Sequence, residues 1–94
     1  MHIISRKRLL EFARIHADSE TALDTWYRIA KAAEWQNLVE LRDAYPAADL
    51  VSIYTVFNIK GNHYRLIAEI NYRGGTIFVR DILPHADYNK EQWK

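Results

Sequence analysis

Cysteine is absent from these 94 residues, which excludes a disulfide framework, thiolate metal ligation and cysteine nucleophiles, and fits a reducing compartment. Glycine occurs three times and proline twice, too few for a collagen-like or linker-rich chain. No apolar run approaches the roughly 20 residues of a membrane-spanning helix. The start, Met1 to Arg8, shows neither the apolar stretch nor the cleavage site of a secretory signal, so the expectation is a cytoplasmic protein without membrane contact. Charge of one sign is missing too, since 13 Lys and Arg face 12 Asp and Glu for a net +1. That balance exerts no whole-molecule attraction on phosphate, and any anion site must be local.

What is present suffices for one core. At 49% hydrophobic and 13% aromatic residues, a chain of this length folds as a single domain, expected to span 1–94. The first half reads helical and the second half as strand, a segregation that predicts α+β architecture, with N-terminal helices packed on one face of an antiparallel sheet. Residues 2–4 are β-prone, and Ser5 stands where an N-cap would open a helix over 6–16. Leu9, Leu10, Phe12 and Ala13 supply its apolar stripe, and Arg6, Lys7 and Arg8 a charged face. Asp18 or Ser19 then caps a helix to about Ala33, with Ala22, Leu23, Trp26, Ile29 and Ala30 recurring at three and four residues. A shorter helix covers 38–44 and stops ahead of Pro46.

From Leu50 the period switches to two. Strands are predicted over 52–60, 63–72 and 76–83, joined at Gly61-Asn62 and Gly74-Gly75, where positive φ is permitted. Two-residue turns would pair Lys60 with His63 and Arg73 with Thr76, and all other registers follow by counting outward. Ile53, Thr55, Phe57, Ile59, Tyr64, Leu66, Ala68, Ile70, Tyr72, Ile77, Val79 and Leu83 then share the face the helices cover. The opposite face gathers Tyr54, Asn58, Lys60, His63, Arg65, Glu69, Phe78, Arg80 and Ile82. Glu69 and Arg80 are placed to pair across strands, and the plain reading of this face is a half-wet surface with one weak ion pair. The sharper reading is that Lys60, His63, Arg65 and Arg80 concentrate positive charge beside Asn58, on a surface fit for a phosphate. Beyond the third strand, Pro84 is followed by His85 and Tyr88, three apart and so on one side of a helical turn. A histidine exchanges a proton near neutral pH, a tyrosine can donate to an oxygen, and neighbouring arginines can stabilise charge on a phosphodiester.

These residues resemble a known family. The opening His2-Ile3-Ile4-Ser5-Arg6-Lys7, the stretch from Ala22 to Trp35, the run Phe57-Asn58-Ile59-Lys60-Gly61-Asn62-His63-Tyr64-Arg65-Leu66-Ile67 and the ending His85-Ala86-Asp87-Tyr88 are similar to HigB-type toxins of bacterial type II toxin-antitoxin modules, within the RelE superfamily. The resemblance implies a RelE-like, microbial-ribonuclease-like fold and an endoribonuclease (mRNA interferase) that inhibits translation by cleaving mRNA on the ribosome, with no metal or other cofactor. It implies Arg65 at the phosphate and His85 and Tyr88 at the reaction centre. Lys60 and Arg80 fall at positive positions of the matching segments and complete the candidate catalytic set, while Asn58, His63 and Lys90 are candidate RNA contacts. Two positions depart from the family pattern: His63 stands where lysine is common, and Asn89 where an aspartate is common. The partners implied are ribosome-bound mRNA and a helix-turn-helix antitoxin of the HigA type, through which any operator DNA would be reached, the antitoxin inhibiting mainly by bulk. A non-catalytic RNA- or ribosome-binding module and a protein-interaction domain are the alternatives from other functional classes. Arg65→Ala is expected to abolish toxicity in a protein that stays folded.

Overall fold

The computed structural model describes residues 1–90 and Trp93. Strand β1 (His2–Ile4) leads into helix α1 (Arg6–Ile15), opened by Ser5, whose hydroxyl accepts from the Lys7 amide at 3.1 Å. A 3-10 turn (Ala17–Ser19) precedes α2 (Glu20–Ala32). Ser19 occupies the N-cap position of α2 without capping it, because its buried hydroxyl donates to the His16 carbonyl at 2.6 Å. Helix α3 (Leu38–Ala44) is capped by Asn37, whose Oδ1 accepts from the Glu40 amide while the Glu40 carboxylate accepts from the Gln36 amide, both at 3.0 Å.

The expected α+β segregation is borne out, with a larger sheet than the predicted three-stranded meander. Its order is β1-β5-β4-β3-β2, built from β2 (Asp49–Val51), β3 (Tyr54–Ile59), β4 (Tyr64–Asn71) and β5 (Thr76–Pro84) beside β1. All neighbours are antiparallel except β1, which lies parallel to β5. The strand predicted from Ser52 begins only at Tyr54 and the prediction misses β2, because Ser52 turns back with φ 57° and splits the segment into a hairpin. Ile53 therefore sits at a turn, 61% exposed, not on the helix-covered face. Leu10 also leaves the apolar stripe of α1 and is 56% exposed, whereas Leu9 and Ala13 are buried.

The helices cover one sheet face. Trp26 from α2 meets Phe57 edge to face at 5.4 Å, Tyr45 meets the same ring at 5.3 Å, and Leu41, Leu66 and Ile77 are fully buried around them. The first hairpin has the predicted register, with Asn58 opposite Arg65 and the Lys60 carbonyl accepting from the His63 amide at 3.2 Å. The second is shifted by two residues, so that Asn71 rather than Arg73 faces Thr76. The reason is local: the Asn71 side chain accepts from the Gly74 amide at 2.9 Å and holds a four-residue loop. A shift of two preserves the faces, but a β-bulge does not. Ala68 pairs with Val79 and Ile67 with Asp81, leaving Arg80 as the extra residue. Beyond it the alternation inverts, so Ile82 joins the helix-side core and Leu83 lies opposite Arg65 on the other face, the reverse of the predicted assignment. A final short helix, α4 (His85–Asn89), follows β5 directly.

Candidate active site

The face turned away from the helices is not open along its whole length. Val56 and Ile67 belong to it by alternation and are nevertheless buried, and α4 packs against β4 and β5. Trp93 stacks on Tyr88 at 5.0 Å, meets Tyr54 edge to face at 6.1 Å and donates from its indole nitrogen to the Tyr88 carbonyl at 3.0 Å.

At the start of β4 and the end of β5, the predicted residues converge. Arg65 faces Leu83, Tyr64 faces Pro84, and the His85 amide donates to the His63 carbonyl at 2.9 Å, continuing the ladder into α4. The sheet thereby carries α4 alongside the start of β4, and the Arg65 guanidinium lies 5.6 Å from the centre of the Tyr88 ring. Arg65 is only 8% exposed, contrary to the expectation of a surface cation. Its Nη1 donates to the Asn62 and Tyr64 carbonyls, both at 3.2 Å, and its Nη2 donates to Asn62 Oδ1. No carboxylate pairs with it among the described residues.

His85 is held by the end of its own helix. The Asn89 side-chain amide, one helical turn on, lies within hydrogen-bond distance of Nε2 at 3.1 Å. The His85 Nδ1 is buried without a hydrogen-bond partner among the described residues. A buried polar atom left unsatisfied costs about 1–3 kcal/mol. Asn89, an apparent departure in sequence, thus makes a contact of its own.

The other predicted cations are placed differently. Lys60 has φ 52°, which breaks strand alternation, and its ammonium pairs with Asp18 Oδ2 at 2.9 Å. The other oxygen of Asp18 accepts from the Tyr64 hydroxyl at 2.6 Å, on the helix side, where Tyr64 packs against Phe12 and His16. Lys60 is therefore drawn off the face of Asn58 and Arg65. Arg80 sits on the bulge and pairs with Glu69 at 2.7 Å, as predicted. Glu69 is four residues from Arg65 along β4, roughly 13 Å at strand rise, so Arg80 belongs to the far end of the face. Lys90 pairs with Asp87 at 3.6 Å beside a groove of about 320 Å³ lined by Asp81, Leu83, Asp87, Lys90 and Trp93. Asn58 is exposed opposite Arg65. His63 donates from Nδ1 to the Lys60 carbonyl at 2.9 Å, which fixes its ring at the turn. Among the described residues no group of three or more His, Asp or Glu side chains is disposed to hold a metal ion, and no helix is long and apolar enough to cross a membrane.

The sequence reading missed Asn62, Trp93 and Asp18. Asn62 registered only as a turn residue and Asp18 only as a helix cap, and nothing in spacing links either to its partner. Asp18 is held below its ordinary value of 3.8 by the Tyr64 hydroxyl first and Lys60 second. A carboxylate with a lowered folded pKa stabilises the fold above its unfolded value, and that stability disappears as pH falls through the folded value. Asp18→Asn should therefore be less stable than the parent at pH 6, with the gap closing below about pH 3.8. Urea midpoints between pH 2.5 and 6 test this, and a gap that stays constant across the range would remove Asp18 as its source.

The site is thus a buried arginine without a carboxylate partner among the described residues, against a tyrosine ring, in an α+β domain. Residues 19–91 match the HigB toxin family, described as the RelE-like toxic component of a toxin-antitoxin system, and the chain belongs to that family. It is 36% identical over 93 residues to the mRNA interferase HigB of Escherichia coli O6:H1 (strain CFT073), covering 96% of this chain and 90% of that one. It is 23% identical over 92 residues to the mRNA interferase toxin HigB of Escherichia coli K12 and to the mRNA interferase HigB of Shigella flexneri, covering 95% of this chain and 88% of each.

Proposed function

We propose that this toxin is an endoribonuclease that cuts mRNA held on the ribosome, without a metal, by attack of a ribose 2′-hydroxyl on the adjacent phosphorus. The observation that carries the reading is the Arg65 guanidinium. Lys60, Arg80 and Lys90 each have a carboxylate within 4 Å. Arg65 is buried against neutral carbonyl acceptors, and its Nε makes no hydrogen bond among the described residues. A cation desolvated in this way gains most from an incoming anion, and more from one whose charge grows in the transition state.

In the reaction the 2′-oxygen bonds to phosphorus as the bond from phosphorus to the 5′-oxygen breaks. The 2′-proton passes to a base, the departing 5′-oxygen receives one from an acid, and the ends are a 2′,3′-cyclic phosphate and a 5′-hydroxyl. His85 and Tyr88 share this proton traffic, and Arg65 stabilises the five-coordinate phosphate. Lys60 and Arg80, each neutralised by a carboxylate, serve at most in orienting the strand, as do Asn58, His63 and Lys90. Ribosome dependence is supported by the charge ledger: with net +1 and most site cations paired, the protein has little field to gather free RNA, so the substrate must be presented to it. An antitoxin of the helix-turn-helix type would then suffice as an inhibitor by blocking ribosome entry from the helix side, where Arg6, Lys7 and Arg8 are exposed.

The test replaces the nucleotide 5′ to the cut in ribosome-bound mRNA with its 2′-deoxy form. Cleavage at that bond should fall at least about a thousandfold, because the nucleophile is gone. Cleavage at an unchanged rate would mean that water attacks instead, and binding without cleavage of the all-ribose message would favour a non-catalytic module.

A further inference from the structure

We infer that Asn62 is a positioning residue for this reaction, holding Arg65 at the phosphate without neutralising it. The inference rests on the phosphate role proposed for Arg65 and goes beyond it, because it assigns a task to a residue of the hairpin turn.

A guanidinium at the end of a long flexible side chain must be fixed before it can act as a preorganised donor. Proteins commonly do this with a carboxylate, which grips two nitrogens of the fork but also cancels the charge. Here the same two-point grip comes from a neutral residue. The main-chain carbonyl of Asn62 accepts from Nη1 at 3.2 Å and its side-chain Oδ1 accepts from Nη2, while the Tyr64 carbonyl takes Nη1 as well. The guanidinium carbon lies over the Tyr88 ring, 5.6 Å from its centre. Every group that touches the guanidinium among the described residues is uncharged, so the full positive charge is left for a ligand.

The turn is shaped for this grip. Lys60 at φ 52° and Gly61 at φ 61° both take left-handed backbone, and the bond from the His63 amide to the Lys60 carbonyl closes the turn. Asn62 is thereby brought back over the third residue beyond it. Asparagine at this point is distinguished from aspartate by charge alone, since the two are nearly the same shape. Aspartate would hold the fork at least as firmly and compete with phosphate for it.

Variants of Asn62, alone and in an Arg65→Lys background, test this. Asn62→Asp should unfold at the parent temperature or above and keep slowly exchanging Arg65 guanidinium signals by 15N NMR. Its single-turnover cleavage of ribosome-bound mRNA should nevertheless fall by about a hundredfold, with half-saturation by the ribosome complex within about threefold of the parent. Asn62→Ala should lose the slow Arg65 signals and about tenfold or more in cleavage. In an Arg65→Lys background, Asn62→Asp should add less than about twofold, because the group it acts through is gone. An Asn62→Asp protein that cuts at the parent rate beside an inactive Arg65→Lys protein overturns the role of Asn62 and leaves the phosphate role of Arg65 standing. Parent-rate cleavage by Arg65→Lys overturns both. Arg65 signals unchanged in Asn62→Ala refute the grip itself, whatever the activity.

Discussion

Arg65→Lys should lower cleavage of ribosome-bound mRNA by at least about a hundredfold and abolish growth arrest, while the protein unfolds within a few degrees of the parent. Lysine keeps the charge, so a loss measures the geometry of the fork. The guanidinium makes bonds from two nitrogens to Asn62 and one to the Tyr64 carbonyl, lies against the Tyr88 ring, and leaves Nε without a hydrogen bond among the described residues. An ammonium is a point charge on a mobile stem and can satisfy neither set of directions. Removal of one preorganised donor from a developing oxyanion costs about 2.7–4 kcal/mol in comparable sites, which sets the expected range. Lysine is a better probe than the alanine suggested by sequence alone. Because Arg65 is buried, truncation to alanine also leaves a void and unpaired carbonyls, and loss of activity would be mixed with loss of stability. Single-turnover cleavage together with thermal unfolding decides the matter. A folded Arg65→Lys protein within tenfold of the parent would show that charge alone suffices and would remove the fork from the mechanism.

What the sequence disclosed of this site follows from how local each signal is. The Gly61-Asn62 turn fixes the first hairpin, and from it the pairing of Asn58 with Arg65 is a matter of counting. The pairing of Glu69 with Arg80 survives even though the second hairpin register is off by two residues, since an even shift keeps both on one face. Counting fails at Arg80, where one inserted residue exchanges the faces of Ile82 and Leu83, and a bulge has no reliable mark in a single sequence. It fails again at Lys60, whose left-handed backbone turns a predicted site cation toward Asp18, 42 residues earlier. The parallel docking of β1 against β5 joins residues more than 70 apart, and period alone cannot report such a neighbour. His85 and Tyr88 were legible as a pair at helical spacing and through family resemblance. The contact of Tyr88 with Arg65, and the stacking of Trp93 on Tyr88, come from tertiary structure.

The residue next to the site arginine gives the opposite outcome. Leu66→Ala should destabilise the fold by about 2–5 kcal/mol and lower the unfolding temperature by roughly 8–40 °C, given about 4–8 °C per kcal/mol in a domain of this size. Leu66 is fully buried between Phe57 on β3 and Ile82 on β5, on the face where Trp26 and Tyr45 close over Phe57. Its side chain can be cut back only by opening a cavity among rings that have little freedom to collapse into it. Leu66→Met, which preserves volume, should cost less than about 1.5 kcal/mol. The consequence for function is indirect. At 37 °C the alanine protein should lose growth arrest because too little of it is folded, whereas at a temperature where circular dichroism shows it folded, cleavage per folded molecule should stay within about threefold of the parent. Alternation places Arg65 and Leu66 on opposite faces of one strand, so the two substitutions separate chemistry from stability at adjacent positions. An alanine variant less than about 1 kcal/mol weaker than the parent would contradict the core described above. One that is fully folded yet inactive would mean that the site depends on core packing through β4.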